Sequence, residues 1–401
     1  MATIIRQSYI DKIERYLGKE TIIVLVGQRR VGKSCMMKMI RDRKKADDCN
    51  NIIFIDKEKR EFDNIQTYQD LNDYIGEHFQ SDKHNYILID EIQDIRELER
   101  SIRSYRTVPN TDIIITGSNA RMLSNELSTL IGGRYKEIYI QSLSYNEFLE
   151  FHQLSDNDEA LALYIQYGGL PGLAKIGLEE DDAREYQMDI YHTVLLKDVI
   201  MRNQIRNVPF LENLVRFLAD NTGKLISANS IAKYMKSQGE SITSTAIINY
   251  ISFLCEAYIL HKVNRYDIHG KRIFETNDKF YFEDNGIRNA IAGGTREGDI
   301  EKVIENIIYQ NLIRLGYQVY VGQLQAGEID FVCTKPGGER IYVQASYIIA
   351  DDATREREFG NLRAIKDNYP KYVISMTPLL TKNDNDGITH LHLRKFLTEG
   401  I

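Results

Sequence analysis

Thr21-Ile-Ile-Val-Leu-Val-Gly27-Gln-Arg-Arg-Val-Gly32-Lys33-Ser34 constrains this chain more than any other stretch of it. A β-branched apolar run reads as a buried strand and passes directly into G-x-x-x-x-G-K-S. The helix-compatible Cys35-Met-Met-Lys-Met-Ile-Arg41 follows. Glycines let such a loop wrap a polyphosphate with backbone N–H groups turned inward, and the helix that follows presents the dipole end that favours anions. Gly27, Gln28, Arg29, Arg30, Val31, Gly32, Lys33, Ser34 and Cys35 are therefore the expected nucleotide cradle. Lys33 is placed to reach the β- and γ-phosphates, and the Ser34 hydroxyl to ligate Mg2+. Contact of Arg29 and Arg30 with phosphate, with DNA, with a partner or with solvent alone is left open.

A phosphate loop that hydrolyses its nucleotide needs acids nearby. Tyr86-Ile-Leu-Ile89-Asp90-Glu91 is a second buried strand that ends in two of them. Asp90 is expected in the Mg2+ shell, and Glu91 is expected to orient the attacking water and accept its proton. A third strand, 112–116, ends in Thr116-Gly-Ser118-Asn119, where Ser118 or Asn119 can sense the γ-phosphate. Arg134, after Gly132-Gly133, is a candidate for supplying positive charge to the transition state. The catalytic set is thus Glu91, Lys33, Asn119 and Arg134, with Ser34 and Asp90 for the metal.

At 401 residues the chain is too long for one core. Strands at 21–26, 52–55, 86–89, 112–116 and 135–140 alternate with helical spacing (Tyr68, Leu71, Ile75, Phe79). That pattern implies a parallel α/β core over 1–150. Residues 151–204 lose the strands; Tyr167-Gly-Gly-Leu-Pro-Gly172 breaks the chain, and the segment reads as a helical lid or linker. Residues 205–294 predict three helices and a hairpin, Ile259–Val263 against Arg272–Phe274, which is a winged helix-turn-helix. Residues 295–401 predict helix, strand, hairpin, helix and strand, a small α/β domain of its own.

The net charge of −7 argues against coating nucleic acid along the whole chain. A local reader is still compatible with it. Ser241, Thr243, Ser244, Thr245 and Asn249 would lead a recognition helix, with Arg265, Lys271 and Arg272 on the wing meeting phosphate. Residues 205–275 hold nine Lys or Arg against six Asp or Glu, a small excess for a DNA reader. Four scattered cysteines without a C-x-x-C pair fit reduced thiols and no zinc site. No signal-peptide pattern and no run near 18 apolar residues is present, so the expectation is a cytoplasmic protein without membrane contact.

In the last domain Glu305 lies on a helix, Glu328 and Asp330 on a hairpin strand, and Gln344-Ala-Ser346 on its partner. Metal-dependent nucleases arrange a helical Glu, a hairpin Asp and an E/Q-x-K in this way. Here Ser346 stands where the lysine belongs, and a serine does not replace that charge. A nuclease-like fold used for binding or packing is the preferred reading, with metal binding by Glu305, Glu328 and Asp330 left open; metal-dependent DNA cleavage is the alternative.

With these residues in view, the chain resembles prokaryotic AAA+-like P-loop ATPases related to the archaeal and STAND branch. These join a P-loop core to a winged helix and a C-terminal domain of restriction-endonuclease-like fold and unknown function. The marks are Gly27–Ser34, Leu88-Ile-Asp-Glu91, Thr116-Gly-Ser-Asn119, Gly133-Arg134, Ser142-Leu-Ser-Tyr-Asn-Glu-Phe148, Tyr167-Gly-Gly-Leu-Pro171, Lys279-Phe-Tyr-Phe-Glu-Asp284 and Glu328-Ile-Asp-Phe331. The resemblance implies binding of ATP and Mg2+ through Lys33, Ser34 and Asp90, with hydrolysis to ADP assisted by Glu91. The expected protein is a molecular switch whose ATP state draws lid and winged helix toward the core. Its output would be binding of duplex DNA or of a protein partner, and a homo-oligomer is compatible with it.

Overall fold

The computed structural model describes residues 4–118, 133–240, 242–270, 272–273, 277–294, 297–325, 327–378, 384–385 and 387–401. The chain forms two compact units, residues 1–141 with 256–258, and residues 142–255 with 259–401.

The first unit begins with helix α1 (Gln7–Glu14), strand β1 (Ile22–Val26), helix α2 (Lys33–Lys45) and strand β2 (Asn50–Asp56). Helix α3 (Tyr68–His78), β3 (His84–Asp90), α4 (Leu98–Tyr105), β4 (Thr111–Thr116) and β5 (Tyr135–Tyr139) follow. The strands pair in the order β2-β3-β4-β1-β5, and every pairing is parallel. All five residues of β1 are buried, as a central strand covered on both faces requires. Its side chains alternate between the two faces. Ile22, Val24 and Val26 pack with Leu71, Ile75, Leu98 and Ile102, which α3 and α4 supply. Ile23 and Leu25 pack on the other face with Ile10 and Ile13 of α1 and Met36, Met37 and Ile40 of α2. A reciprocal capping box between Thr67 and Asp70 starts α3. The expected doubly covered parallel sheet is therefore present.

The second unit opens with α5 (Tyr145–His152), α6 (Asp158–Tyr167), the short α7 (Leu173–Ile176) and α8 (Glu180–Val194), which runs into a π-helical stretch, Leu195–Met201. Three helices follow, α9 (Val208–Asp220), α10 (Ala228–Ser237) and α11 (Ser244–Glu256). Then come β6 (Leu260–Val263), β7 (Arg265–Asp267), β8 (Arg272–Ile273), β9 (Lys279–Phe282), α12 (Asn285–Ala292) and α13 (Ile300–Arg314). The chain ends with β10 (Gln318–Gln323), β11 (Glu328–Thr334), β12 (Arg340–Ala345), α14 (Asp352–Arg363), β13 (Lys371–Ser375), β14 (Asp384–Asn385), β15 (Ile388–His392) and α15 (Leu393–Glu399). No helix among the described residues is long and apolar enough to cross a membrane.

The hairpin differs from its expected pairing. Instead of meeting Arg272–Ile273, β6 pairs antiparallel with β9, Val263 opposite Lys279. The inner strands β7 and β8 pair with each other, Tyr266 opposite Ile273. Strand β7 also runs parallel to β10, Arg265 opposite Val321. The tip thereby becomes the edge of an eight-stranded sheet ordered β14-β15-β13-β12-β11-β10-β7-β8. Burial drives this annexation, because Ile268 sits in one core with Leu324, Ile329 and Val332.

Core packing also explains why the first unit closes at Gln141 and not near residue 150. Leu143, Tyr145 and Phe148 belong to the core built on Val303, Ile304, Ile307, Ile308 and Leu312 of α13, together with Phe331 and Phe396. Two of the motifs quoted above are a matched structural pair. Asp284 accepts hydrogen bonds from the N–H of Gly169 at 2.9 Å and of Ile287 at 3.0 Å. Asn289 donates to the carbonyls of Ile165 and Gln166 at 3.0 and 2.9 Å. Burial pushes the Asp284 carboxyl up to about 6, against the pull of those N–H donors.

Gly286 permits this approach. A Cβ there would lie 2.0 Å from the Tyr167 carbonyl oxygen. Gly286→Ala is expected to lower unfolding stability by about 1–3 kcal/mol through overpacking. A urea titration would show it as a lower midpoint with an unchanged slope.

Candidate nucleotide-binding site

Parallel pairing brings the carboxyl ends of β1, β2, β3 and β4 to one edge of the first sheet, where an open α/β sheet places its ligands. Strand β1 ends at Val26 and the phosphate loop starts. Gly27 is required twice over: its φ is +139°, and a Cβ would stand 2.2 Å from the carbonyl oxygen of Ile140. Gly32 has φ +104° and caps α2, and its carbonyl accepts from Met36 N–H at 3.0 Å. Arg30 adopts φ +68° between them. Val31 is packed into the core beside α2. The Lys33 ammonium is buried and donates to the carbonyls of Gly27 and Gln28, each at 2.8 Å. Gln28 is buried, Arg29 half-buried and Cys35 exposed.

Asp90 ends β3, buried beside Asp56 in register at the end of β2. The Thr116 hydroxyl bonds one oxygen of Asp90, and the Ser34 hydroxyl bonds this carboxylate as well. Burial raises the Asp90 pKa, those two hydroxyls work against it, and the charges of Glu91 and Asp56 add to the rise. Glu91 is buried with left-handed backbone, φ +57°, a conformation that strains a residue with a Cβ. Its N–H donates to Thr116 Oγ1 at 3.0 Å, and its carboxylate accepts from the Gln93 amide.

The structure thus brings Lys33, Ser34, Asp90 and Glu91 to one edge. Ser118, just past β4, is buried, and Asn119 lies outside the described residues. Arg134 is a correction. Its carbonyl accepts from Ile22 N–H at 3.2 Å, so it stands where β1 begins. One strand of this length spans ~16 Å, and Arg134 is at its far end from the loop. Within its own chain it stands at the opposite end of β1 from Lys33 and Ser34.

Three contributors were not picked out from sequence. Thr116 holds both acids; its signal was present in the polar strand end, credited there to Ser118 and Asn119. Asp56 mirrors Asp90 at the end of the neighbouring strand, and Lys38 lies 3.6 Å from it. Arg6 is buried and donates to the carbonyls of Val31 at 3.1 Å and Gln141 at 2.8 Å. It clamps the loop to the segment after β5, and no local pattern announces it. In the second unit, Glu305, Glu328 and Asp330 do converge, with Lys279 among them.

A strand–loop–helix cradle with an acid pair two strands away, across β4, is the arrangement of a P-loop nucleotide site. Residues 19–149 match the AAA domain family, and residues 158–298 match a domain of unknown function. An uncharacterised protein of Haemophilus influenzae is 33% identical over 406 residues, covering 99% of each chain. This chain belongs to that protein's family, the prokaryotic AAA+-like P-loop ATPases. An uncharacterised protein of Methanocaldococcus jannaschii is 26% identical over 371 residues, 88% of this chain and 81% of that one. A Walker-type ATPase of Pyrococcus abyssi shares the fold, with a TM-score of 0.51 over 72% of this chain and 96% of that one at 14% identity.

Thr116→Val keeps the shape of β4 and removes the hydroxyl shared by Asp90 and Glu91. Partners that orient a metal ligand are commonly worth 10–100-fold. Nucleotide affinity is expected to change little, while the single-turnover hydrolysis rate falls at least tenfold.

Proposed function

We propose that this protein is a Mg2+-dependent, ATP-hydrolysing molecular switch whose second unit binds a partner. The observation that carries hydrolysis is the joint fixing of Asp90 and Glu91 by the Thr116 hydroxyl beside the phosphate loop. Ser34 and Asp90 offer hard oxygen donors already linked to each other, a donor set suited to Mg2+. A metal held there would neutralise charge on the β- and γ-phosphates. Lys33 exchanges the carbonyls of Gly27 and Gln28 for phosphate oxygens. Glu91 orients the water and takes its proton, with Gln93 fixing the carboxylate. Asn119 and Ser118 are assigned to sensing the γ-phosphate. Arg134 is assigned to a second copy of the chain, since it stands at the opposite end of β1 from its own phosphate loop.

ATP shifts a conformational equilibrium only as far as it binds one state better than the other. Contacts to the γ-phosphate provide that difference, and hydrolysis removes it. The partner is duplex DNA or a protein. Against DNA, Arg265 on the wing is engaged with Gln323, and Ser244 on α11 donates to Asn229 at 2.7 Å. Tyr234 on α10 and Ile248 on α11 are apolar side chains 47% and 57% exposed, which supports a protein partner.

Single-turnover hydrolysis of ATP tests the reading. Lys33→Ala is expected to lose nucleotide binding, and Glu91→Gln to keep binding while slowing hydrolysis at least 100-fold, within the range for a general base. Undiminished hydrolysis by Glu91→Gln would overturn it. Stimulation of the wild-type rate by duplex DNA assigns the partner to nucleic acid; no stimulation assigns it to protein.

A further inference from the structure

The acids Glu305, Glu328 and Asp330 converge from α13 and β11, as they do in a metal-dependent nuclease. Their centre is filled from an unexpected direction. Lys279, the first residue of β9, places its ammonium 2.8 Å from Glu305, 2.6 Å from Glu328 and 3.3 Å from Asp330. The side chain is 3% exposed. Burial acts to lower the Lys279 pKa, but the three carboxylates outweigh it and hold the amine firmly charged.

An ammonium has three donors, and each here faces one carboxylate. Two of the three acids make further hydrogen bonds. Glu305 accepts from the Tyr281 hydroxyl at 2.7 Å, and Asp330 accepts from Ala345 N–H at 2.9 Å. The Gln344 carbonyl oxygen is turned to the N–H of Asp330 at 3.3 Å. Ser346, where a nuclease would carry its lysine, is buried, and its hydroxyl has no hydrogen-bond partner among the described residues. A divalent ion needs these same oxygens at about 2.0–2.6 Å, and a second cation cannot share them with the ammonium. Among the described residues no group of three or more His, Cys, Asp or Glu is arranged to hold a metal ion.

We infer that Lys279 is a built-in cation occupying the divalent-metal position of a nuclease-like acid cluster, which makes this domain a metal-independent one. The residue is not a relocated catalytic lysine, because it lies among the acids where the metal would be. By bridging β9 to α13 and β11, it joins the two-stranded ribbon to the eight-stranded sheet. The inference does not rest on ATP hydrolysis.

Mn2+ titration of the nucleotide-free, full-length protein tests it, with Asp90→Asn as the parent so that the nucleotide site lacks its metal-binding carboxylate. The parent is expected to take up no Mn2+ at this cluster. Lys279→Ala is expected to gain one Mn2+ per chain, bound at least tenfold more tightly than any in the parent, and to lose it again on adding Asp330→Asn. Should Lys279→Ala fail to fold, judged by circular dichroism, Lys279→Gln keeps the length of the side chain and carries the same expectation. Uptake of one Mn2+ by the parent that Asp330→Asn abolishes would overturn the inference. So would a folded Lys279 variant that binds none.

Discussion

Strand β1 lies between β4 and β5 with no residue exposed, and this placement decides where Lys33, Ser34, Asp90 and Glu91 stand. Parallel pairing sends the ends of β1, β3 and β4 to the same edge, so the phosphate loop and two acids meet without any long-range recognition between their side chains. The remaining precision comes from one hydroxyl. Thr116 touches the Asp90 side chain and the Glu91 backbone at once. It thereby supports a left-handed residue that would relax in an unsupported turn.

Much of this was legible because local pattern and global position coincide in such sheets. A buried strand ending in Gly27–Ser34 can close only one kind of loop, and an apolar strand ending in Asp90-Glu91 can present its acids only at the sheet edge. Thr116 was visible as a polar strand end but credited to its neighbours, since spacing does not say which hydroxyl turns inward. Arg134 shows the opposite failure. The glycine-rich approach to it resembles a functional loop, but only the register of β5 against β1 reveals that it enters the sheet at the far end.

The second unit was less readable for a physical reason. Its informative contacts join residues far apart in sequence, such as Asp284 with Gly169 and Lys279 with Asp330. Helices α9–α11 and the α13-to-β13 order follow from periodicity. The partition of the hairpin does not, because β7 carries the same alternating pattern whether it ends a wing or edges a sheet. Only the burial of Ile268 chooses. The lysine missing at Ser346 could be noticed in the sequence, but the ammonium from β9 could not be found there. A strand assigned to one module contributes the charge of another.

The pairing of β7 with β10 has a mechanical consequence. Strand hydrogen bonds in register resist sliding far better than side-chain contacts do, and these run from the ribbon after α11 into the C-terminal sheet. Motion of the ribbon against that sheet would have to break backbone ladder bonds. Three residue pairs of parallel ladder thus join the ribbon to the C-terminal sheet through the backbone itself.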